Sequence, residues 1–438
     1  MSMGMTTLLM FSVLIILLTT GLPVVFVIGS IGIVFSFFLW GPGGLSMMIY
    51  PTYGLMNVFI LSAIPLFIFM GLILQKSGIA DEMFEAIYKW SGGLRGGLGA
   101  GTVIVCAIIA SMVGISGAAT VTMGLIALPA MLKRNYSKYL ATGTIQAGGA
   151  LGLLIPPSIP FLVYAFVARE SAAKLFASGL FPGLILAAMY IVYILIRAYI
   201  QPDLAPALAM EERVSFKEKL TCLKALILPA FIIFSVIGCV IFGITTIIEA
   251  SVIGAIGAMI AAAVRKKLTW AMIRESLHKS ASVTAMVMWI ALAAVCFGAI
   301  YTGLGASDLV QAALESMGLG KWGVLIFMQI SFFFLGMFLD DTAIMFLTIP
   351  LYLPIVKGFG FDPIWFGTLF VINMQMAFIT PPYGLNLFYM KGVVPPNISM
   401  TDLYWSVIPF IIIQALGLAL VMMFPEIALW LPRVLFQA

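Results

Sequence analysis

The chain holds one histidine, His278, and four widely spaced cysteines, and only 9% of its 438 residues are charged. Each shortage excludes something. The histidine lies in a basic loop between Arg274 and Lys279. Cys106, Cys222, Cys239 and Cys296 have no ligand spacing, so neither a transition-metal centre nor a disulfide framework is expected. Three of the four sit in apolar stretches, the usual place for buried free thiols. Soluble domains carry about 25% charged residues. With 63% of this chain hydrophobic, a soluble fold could not hide the apolar surface, and much of it must face lipid. No nucleophile, base and orienting group occur together in a way that indicates an enzyme. The net charge is 22 − 17 = +5, but the basic residues fall in short breaks between apolar runs. That placement reads as a topology signal and not as a nucleic-acid face. The first twenty residues lack a basic n-region and a cleavage site, so they read as a retained helix and not a signal peptide.

What the sequence does have is long apolar runs, at Thr6–Thr20, Pro23–Leu39, Val58–Leu74, Thr102–Leu132, Ala141–Ala168 and Leu175–Ala198. They resume at Ala225–Phe242, Thr246–Val264, Val283–Gly303, Trp322–Val356, Ile364–Val393 and Leu403–Leu431. Between the two sets lies the one long polar stretch, about Gln201–Lys224, with Pro202, Pro206, Glu211, Glu212 and Lys217, which reads as a linker. A span needs about 20 apolar residues. Two runs are interrupted, one at Gly114-Ile115-Ser116-Gly117 and the other at Asp340-Asp341-Thr342. In the first, arms of about 12 and 15 residues reach about 18 and 22 Å as helix, short of a core about 30 Å thick. Each run is therefore expected to be a re-entrant helical hairpin. Two others carry double prolines, Ile155-Pro156-Pro157-Ser158 and Thr380-Pro381-Pro382-Tyr383-Gly384, which should unwind their helices at mid-membrane.

These landmarks repeat. Pro157 to Pro382, Pro129 to Pro354 and Ser116 to Asp341 are each 225 residues apart, while Pro182 to Pro409 and Asp81 to Asp308 are each 227 apart. With the N-terminus outside, the inner loops hold 17 Lys and Arg against five outside (Arg169, Lys174, Lys321, Lys357, Arg433), which the positive-inside rule favours. That orientation makes the repeats antiparallel. The expected fold is an all-α polytopic membrane protein, with inverted repeats, two re-entrant hairpins and two broken helices. Its parts are N-terminal scaffold helices (1–57); repeat 1 (58–198), with hairpin 102–132 and broken helix 141–168; a linker and scaffold helices (199–282); and repeat 2 (283–438), with hairpin 322–356 and broken helix 364–393.

Inverted repeats with broken helices are how secondary transporters are built. Half-helix N-termini attract anionic groups and C-terminal carbonyls can hold a cation such as Na⁺. Proton coupling would instead need Asp340, Asp341 or Glu249. Structural readings stand beside the functional ones. Ser116 and its glycines also suit close helix packing, and the proline pairs could be simple kinks. Asp340 and Asp341 could cap a half-helix at a wet boundary, although acids inside a membrane are functional by default. A channel is the competing class, and internal inverted repeats favour alternating access over a multisubunit pore.

Five ordered stretches, Ile64–Phe67 (IPLF), Ile115–Met123 (ISGAATVTM), Gly148–Tyr164 (GGALGLLIPPSIPFLVY), Gly336–Asp340 (GMFLD) and Phe378–Leu387 (FITPPYGLNL), run through almost the whole chain. By them it resembles the large membrane subunit of tripartite ATP-independent periplasmic (TRAP) transporters, in the ion-transporter superfamily. The resemblance implies an elevator mechanism in the bacterial inner membrane, powered by Na⁺. It also implies a small four-helix membrane subunit, a periplasmic substrate-binding protein and a small organic-anion substrate, either a carboxylate or a sugar acid. Because the sequence opens directly on a span, the small subunit is expected as a separate polypeptide. Carried over by motif, one Na⁺ site would use Gly114, Ser116 and Gly117 with Ile155, Pro156 and Ser158. A second would use Asp340, Asp341 and Thr342 with Thr380, Pro381 and Gly384. Substrate would lie between the tips, near Ser116, Gly149, Pro157, Thr342, Pro382 and Asn386. Two departures bear on this: Ala118-Ala119 leaves the first tip fewer side-chain oxygens, and Asp341 adds an acid.

Overall fold

Glycines and small Ser, Thr or Asp caps set many of the helix ends in the computed structural model. It describes residues 3–436 apart from 115, 208–213, 306–308 and 311–317. Asp308, Glu211 and Glu212 of the sequence reading fall outside these. Among the described residues the secondary structure is helical, and nine segments are long and apolar enough to cross a membrane. The chain opens with α1 (Met3–Thr19), α2 (Val24–Trp40) and α3 (Ser46–Met56). The next helices are α4 (Ala63–Lys76) and the amphipathic α5 (Ile79–Ser91), entered through Gly78 at φ 78°.

The first hairpin is α6 (Gly97–Val113) and α7 (Ser116–Lys133). Gly114 ends α6 in the left-handed region, φ 67°, and its N–H donates to Ala110 O at 2.8 Å. A residue with a Cβ would be strained there. The arms are 17 and 18 residues long, or about 26 and 27 Å, longer than the sequence indicated. The α6 arm gained most, because it starts in Gly97-Leu98-Gly99, which carries little apolar signal. Arm length therefore no longer argues for re-entrancy; the position of the tip does, as described below.

The first broken helix is α8 (Lys138–Ala150), a 3-10 turn over Leu151–Leu153, an irregular break and α9 (Ile159–Ala168). A long α10 (Ala172–Ile200) closes this half. The linker contains α11 (Phe216–Cys222), and α12 (Lys224–Ile241) and α13 (Ile247–Val264) follow. Glu249 closes a capping box with Thr246 at the exposed start of α13, a structural task in keeping with its place near a span end.

The second half repeats the first. After α14 (Trp270–Gly303) come the hairpin of α15 (Gly320–Gly336) and α16 (Asp341–Gly358). The second broken helix is α17 (Pro363–Ala377) and α18 (Leu385–Lys391), followed by α19 (Met400–Met423) and α20 (Glu426–Phe436). The duplication is visible in kind as well as spacing. Pro129 and Pro354 both lie within the second hairpin arm, Pro182 and Pro409 both within the long helix after the break, and both Pro-Pro bonds are cis.

The halves interlock. Each first half-helix packs on its own hairpin, α8 on α6 and α7, and α17 on α15 and α16. Each second half-helix packs on the hairpin arm of the other repeat, α9 on α16 and α18 on α7. Tyr164 Oη donates to Pro363 O (2.7 Å), its ring filling the space a side chain at Gly367 would need. Ser178 and Thr368 hydroxyls meet at 2.7 Å. Glu170 and Lys357 pair at 3.1 Å between the end of α9 and the end of α16. Around this centre, α14 packs on α2, α3, α4 and α16, and α13 on α4 and α12.

Candidate functional site

Both hairpin tips open onto one cavity of about 120 Å³. Gly114, Ser116 and Gly117 come from the first tip, and Asp340, Asp341 and Thr342 from the second. Leu153, Ile159 and Pro160 flank the first break, and Phe378 and Leu385 flank the second. Val283, Met286 and Val287 of α14 form the remaining apolar wall with Tyr389. Tips that meet at the helix breaks lie inside the protein and not at a surface, which is what re-entrant hairpins require.

The lining has a common geometry. Ser116, Ile159, Asp341 and Leu385 are the first residues of α7, α9, α16 and α18. All four helices thus present their N-terminal ends, with their positive partial charge, to the same small volume, with Ser158 Oγ already accepting from Phe161 N and Phe378 O from Asn386 N. Asp340 and Asp341 place two carboxylates in this field, and Asp341 Oδ1 accepts from Thr342 N at 2.9 Å. Neither acid has a lysine or arginine within salt-bridge distance among the described residues. The site as built is therefore able to attract an anion through its helix ends and a cation through its acids.

Ser116 is committed in one direction only. Its Oγ donates to Asn386 Oδ1 (2.7 Å), and Asn386 Nδ2 donates to Gln146 O (3.3 Å), joining the first tip to α18 and α8. The hydroxyl's lone pairs stay free to coordinate. Both Ser116 and Asn386 are buried. Gly117 lies under the Tyr389 ring, and a Cβ there would sit 2.4 Å from Tyr389 Cε2. Thr120 Oγ1, which lies against Gly149 of α8, is a buried oxygen with no hydrogen-bond partner among the described residues, as are Thr144 Oγ1 and Gln146 Oε1 elsewhere on α8. An unsatisfied buried acceptor costs about 1–3 kcal/mol, so a cation or water bound at Thr120 Oγ1 would offset that cost. The sequence reading passed over Thr120 because it counted hydroxyls only next to the tip. Ser116 and Thr120 are four residues apart on a helix and share a face, which is the signal that could have found it.

Other expected site residues are placed differently. Gly114 abuts the first break, since a Cβ on it would lie 2.9 Å from Pro157 O. Ser158 caps α9 and donates to Leu153 O at 2.5 Å, bridging the break. Ile155 and Pro156 are buried in the break and do not line the cavity. In the second break Thr380 Oγ1 donates to Met376 O (2.8 Å) and Gly384 N to Thr380 O (3.0 Å). A Cβ at Gly384 would meet Phe378 O at 2.6 Å, so carbonyls crowd that glycine. Pro381 and Pro382 lie outside the lining, with Pro382 O accepting from Tyr404 Oη at 3.1 Å. Gly149 faces Thr120, whose Oγ1 would be 2.2 Å from a Cβ. It serves α7–α8 contact and has no open side toward the cavity. Arg169, at the left-handed end of α9, does not line this cavity.

Residues 11–427 match the family described as "Tripartite ATP-independent periplasmic transporter, DctM component". The C4-dicarboxylate TRAP transporter large permease protein DctM of Rhodobacter capsulatus is 31% identical over 448 residues, covering 98% of this chain and 100% of that protein. The isethionate TRAP transporter permease protein DctMQ of Oleidesulfovibrio alaskensis is 28% identical over 373 residues, 85% of this chain and 58% of that longer protein. The crystal structure of the Alcanivorax borkumensis YdaH transporter aligns with a TM-score of 0.62 at 13% identity, covering 97% of this chain and 98% of that one, and so shares its fold. With the family model spanning nearly the whole chain and both tips converging on the breaks, the chain belongs to the DctM components of the TRAP transporters, membrane permeases and not enzymes.

Proposed function

We propose that this permease carries a small organic anion inward together with Na⁺, after delivery by a periplasmic substrate-binding protein. A small four-helix membrane subunit is its membrane partner. The observation that carries the reading is the cavity at which four helix N-termini meet two carboxylates that have no cationic partner among the described residues. Helix ends of this kind favour a carboxylate or sulfonate, and Na⁺ offsets the charge of Asp340 and Asp341. The two relatives are named for C4-dicarboxylate and isethionate, both small organic anions. In this reading Ser116 Oγ, Thr120 Oγ1 and the Gly114 backbone serve one Na⁺. Asp340, Asp341 and Thr342 serve another, with carbonyls of the break near Thr380 and Gly384. Substrate occupies the space between the tips, beside Asn386.

Transport proceeds by an elevator movement in the bacterial inner membrane, with the N-terminus periplasmic. The hairpins and broken helices (α6–α9 and α15–α18) move as a body over a scaffold formed by α1–α3 and α12–α14. The apolar wall that Val283, Met286 and Val287 present to the tips supports this, since it offers no hydrogen bond to break as the tips slide. Asp340 and Asp341 need a mobile counter-charge when the site changes sides, and a co-transported cation provides one.

The test is uptake into proteoliposomes holding this chain and its small partner, with binding protein and candidate radiolabelled organic acids outside. Accumulation should require both an inward Na⁺ gradient and the binding protein. Equal uptake without the binding protein would make the chain a stand-alone symporter, and uptake indifferent to Na⁺ but driven by a proton gradient would move the coupling to Asp340 and Asp341 protonation.

A further inference from the structure

We propose that the junction of α8, α10 and α19 is a binding site for an anionic phospholipid, a function separate from transport of the solute. A cavity of about 240 Å³ opens there, with Ser137, Tyr139, Arg197, Gln201 and Trp405 in its lining. Arg197 meets no carboxylate among the described residues. The nearby acid, Asp402, is already engaged by Lys138 Nζ at 2.7 Å and by the Tyr139 hydroxyl at 3.1 Å, so it does not neutralise Arg197. An uncompensated guanidinium beside hydroxyl and amide donors suits a phosphate.

A second cavity, of about 490 Å³, adjoins the first through Tyr193, which lines both. Its other lining residues are wholly apolar and include Ile185, Met189, Val192 and Ile196 of α10 and Ile413 of α19. From Arg197 to Ile185 is 12 residues, about 18 Å along the helix, against about 15 Å for one leaflet's hydrocarbon. The pair of cavities thus has the shape of a phospholipid: a cationic, hydrogen-bonding end at the level of Trp405 and an apolar groove running into the bilayer. Tryptophan is common at that level of a membrane. Phosphatidylcholine also offers a phosphate, but its quaternary ammonium cancels that charge and donates no hydrogen bond, so the uncompensated Arg197 and the polar lining favour phosphatidylglycerol, which keeps a net negative charge and adds hydroxyls. Under the orientation proposed above this is the cytoplasmic leaflet, where basic pockets between helices hold anionic headgroups. The occupied site would tie the start of α8, which continues into the first break, to α10 and α19.

Native mass spectrometry of the full-length protein, titrated in detergent with phosphatidylglycerol or phosphatidylcholine, tests this. Wild type should take up one phosphatidylglycerol more tightly than phosphatidylcholine. Arg197→Gln should weaken the phosphatidylglycerol adduct at least about fivefold, with Arg197→Lys largely retaining it. Val192→Trp, which fills the groove without touching the headgroup end, should weaken both lipids. Equal binding of the two lipids, or wild-type phosphatidylglycerol binding by Arg197→Gln, would overturn the proposal. So would displacement of the adduct by millimolar inorganic phosphate, which would make this a site for free anions. The readout is independent of uptake and of Na⁺, so its failure leaves the transport reading standing, and the reverse.

Discussion

At the scale of single residues the site depends on groups whose bonds are half made. Ser116 donates its hydrogen bond to Asn386 and keeps its lone pairs, and Asp340 and Asp341 have no cationic neighbour among the described residues. Ser116→Ala should raise the Na⁺ concentration for half-maximal uptake about fivefold, the worth of one lost polar contact of about 1 kcal/mol. Asp340→Asn should raise it more, about tenfold or beyond, because a charge is removed where no water screens it fully. Na⁺ activation curves for both variants check this, and two curves that overlay wild type would remove the site assignment. Gly117 carries a different prediction. Adding a methyl 2.4 Å from Tyr389 Cε2 displaces that ring from the cavity wall. Gly117→Ala should lose most uptake, and adding Tyr389→Ala should restore folding stability measured by thermal unfolding, since the collision is then gone.

At the scale of elements, α8 is the helix whose position everything else uses. Eleven of its 13 residues are buried, among them Thr144, Gln146 and the Gly148-Gly149 pair. Gly143 makes the closest approach to another backbone: a Cβ there would lie 2.2 Å from Ser406 O of α19. Backbone cannot rotate aside, so Gly143→Ala should destabilise the protein by about 1–3 kcal/mol. Gly257 in α13 is the control, because a Cβ there meets only Ile232 Cγ1 at 3.6 Å. Gly257→Ala should be neutral or stabilise by about 0.5–1 kcal/mol through chain entropy. Thermal unfolding of both variants in one detergent compares the signs. Gains of equal size would show that helix propensity and not the α8–α19 contact decides. The elements were also where the sequence was most legible. Doubled prolines and the 225-residue offset located both breaks and both tips, because proline and glycine act locally. The hairpin arms were underestimated, because Gly97–Gly101 is held helical by packing against α5 and α10 and not by propensity.

For the whole molecule the decisive relation is the exchange of second half-helices, with α9 on the second hairpin and α18 on the first. It makes the two hairpins and two broken helices one packed unit, bounded on one side by α14. If that unit moves, residues of α14 at the tips must change their exposure. Val287→Cys should react with a membrane-impermeant maleimide at a rate that changes severalfold when Na⁺ and substrate are added together. A rate that ignores both, with uptake intact, would show that the tips do not travel over α14.

The sequence by itself determined the membrane class, the duplicated order of elements, the two tips and the two breaks. These follow from composition and from residues whose effects are felt within a turn or two. The family resemblance named the tip and break residues as site residues, and the tertiary structure decided how they combine. It brought Ser116 to Asn386, 270 residues away, set Thr120 against Gly149, and made Ser158 the cap of α9. It also joined a charged and an apolar cavity along α10. Which buried groups meet depends on how helices from distant parts of the chain pack across the pseudo-two-fold relation, and hydropathy and spacing along the chain do not encode that contact.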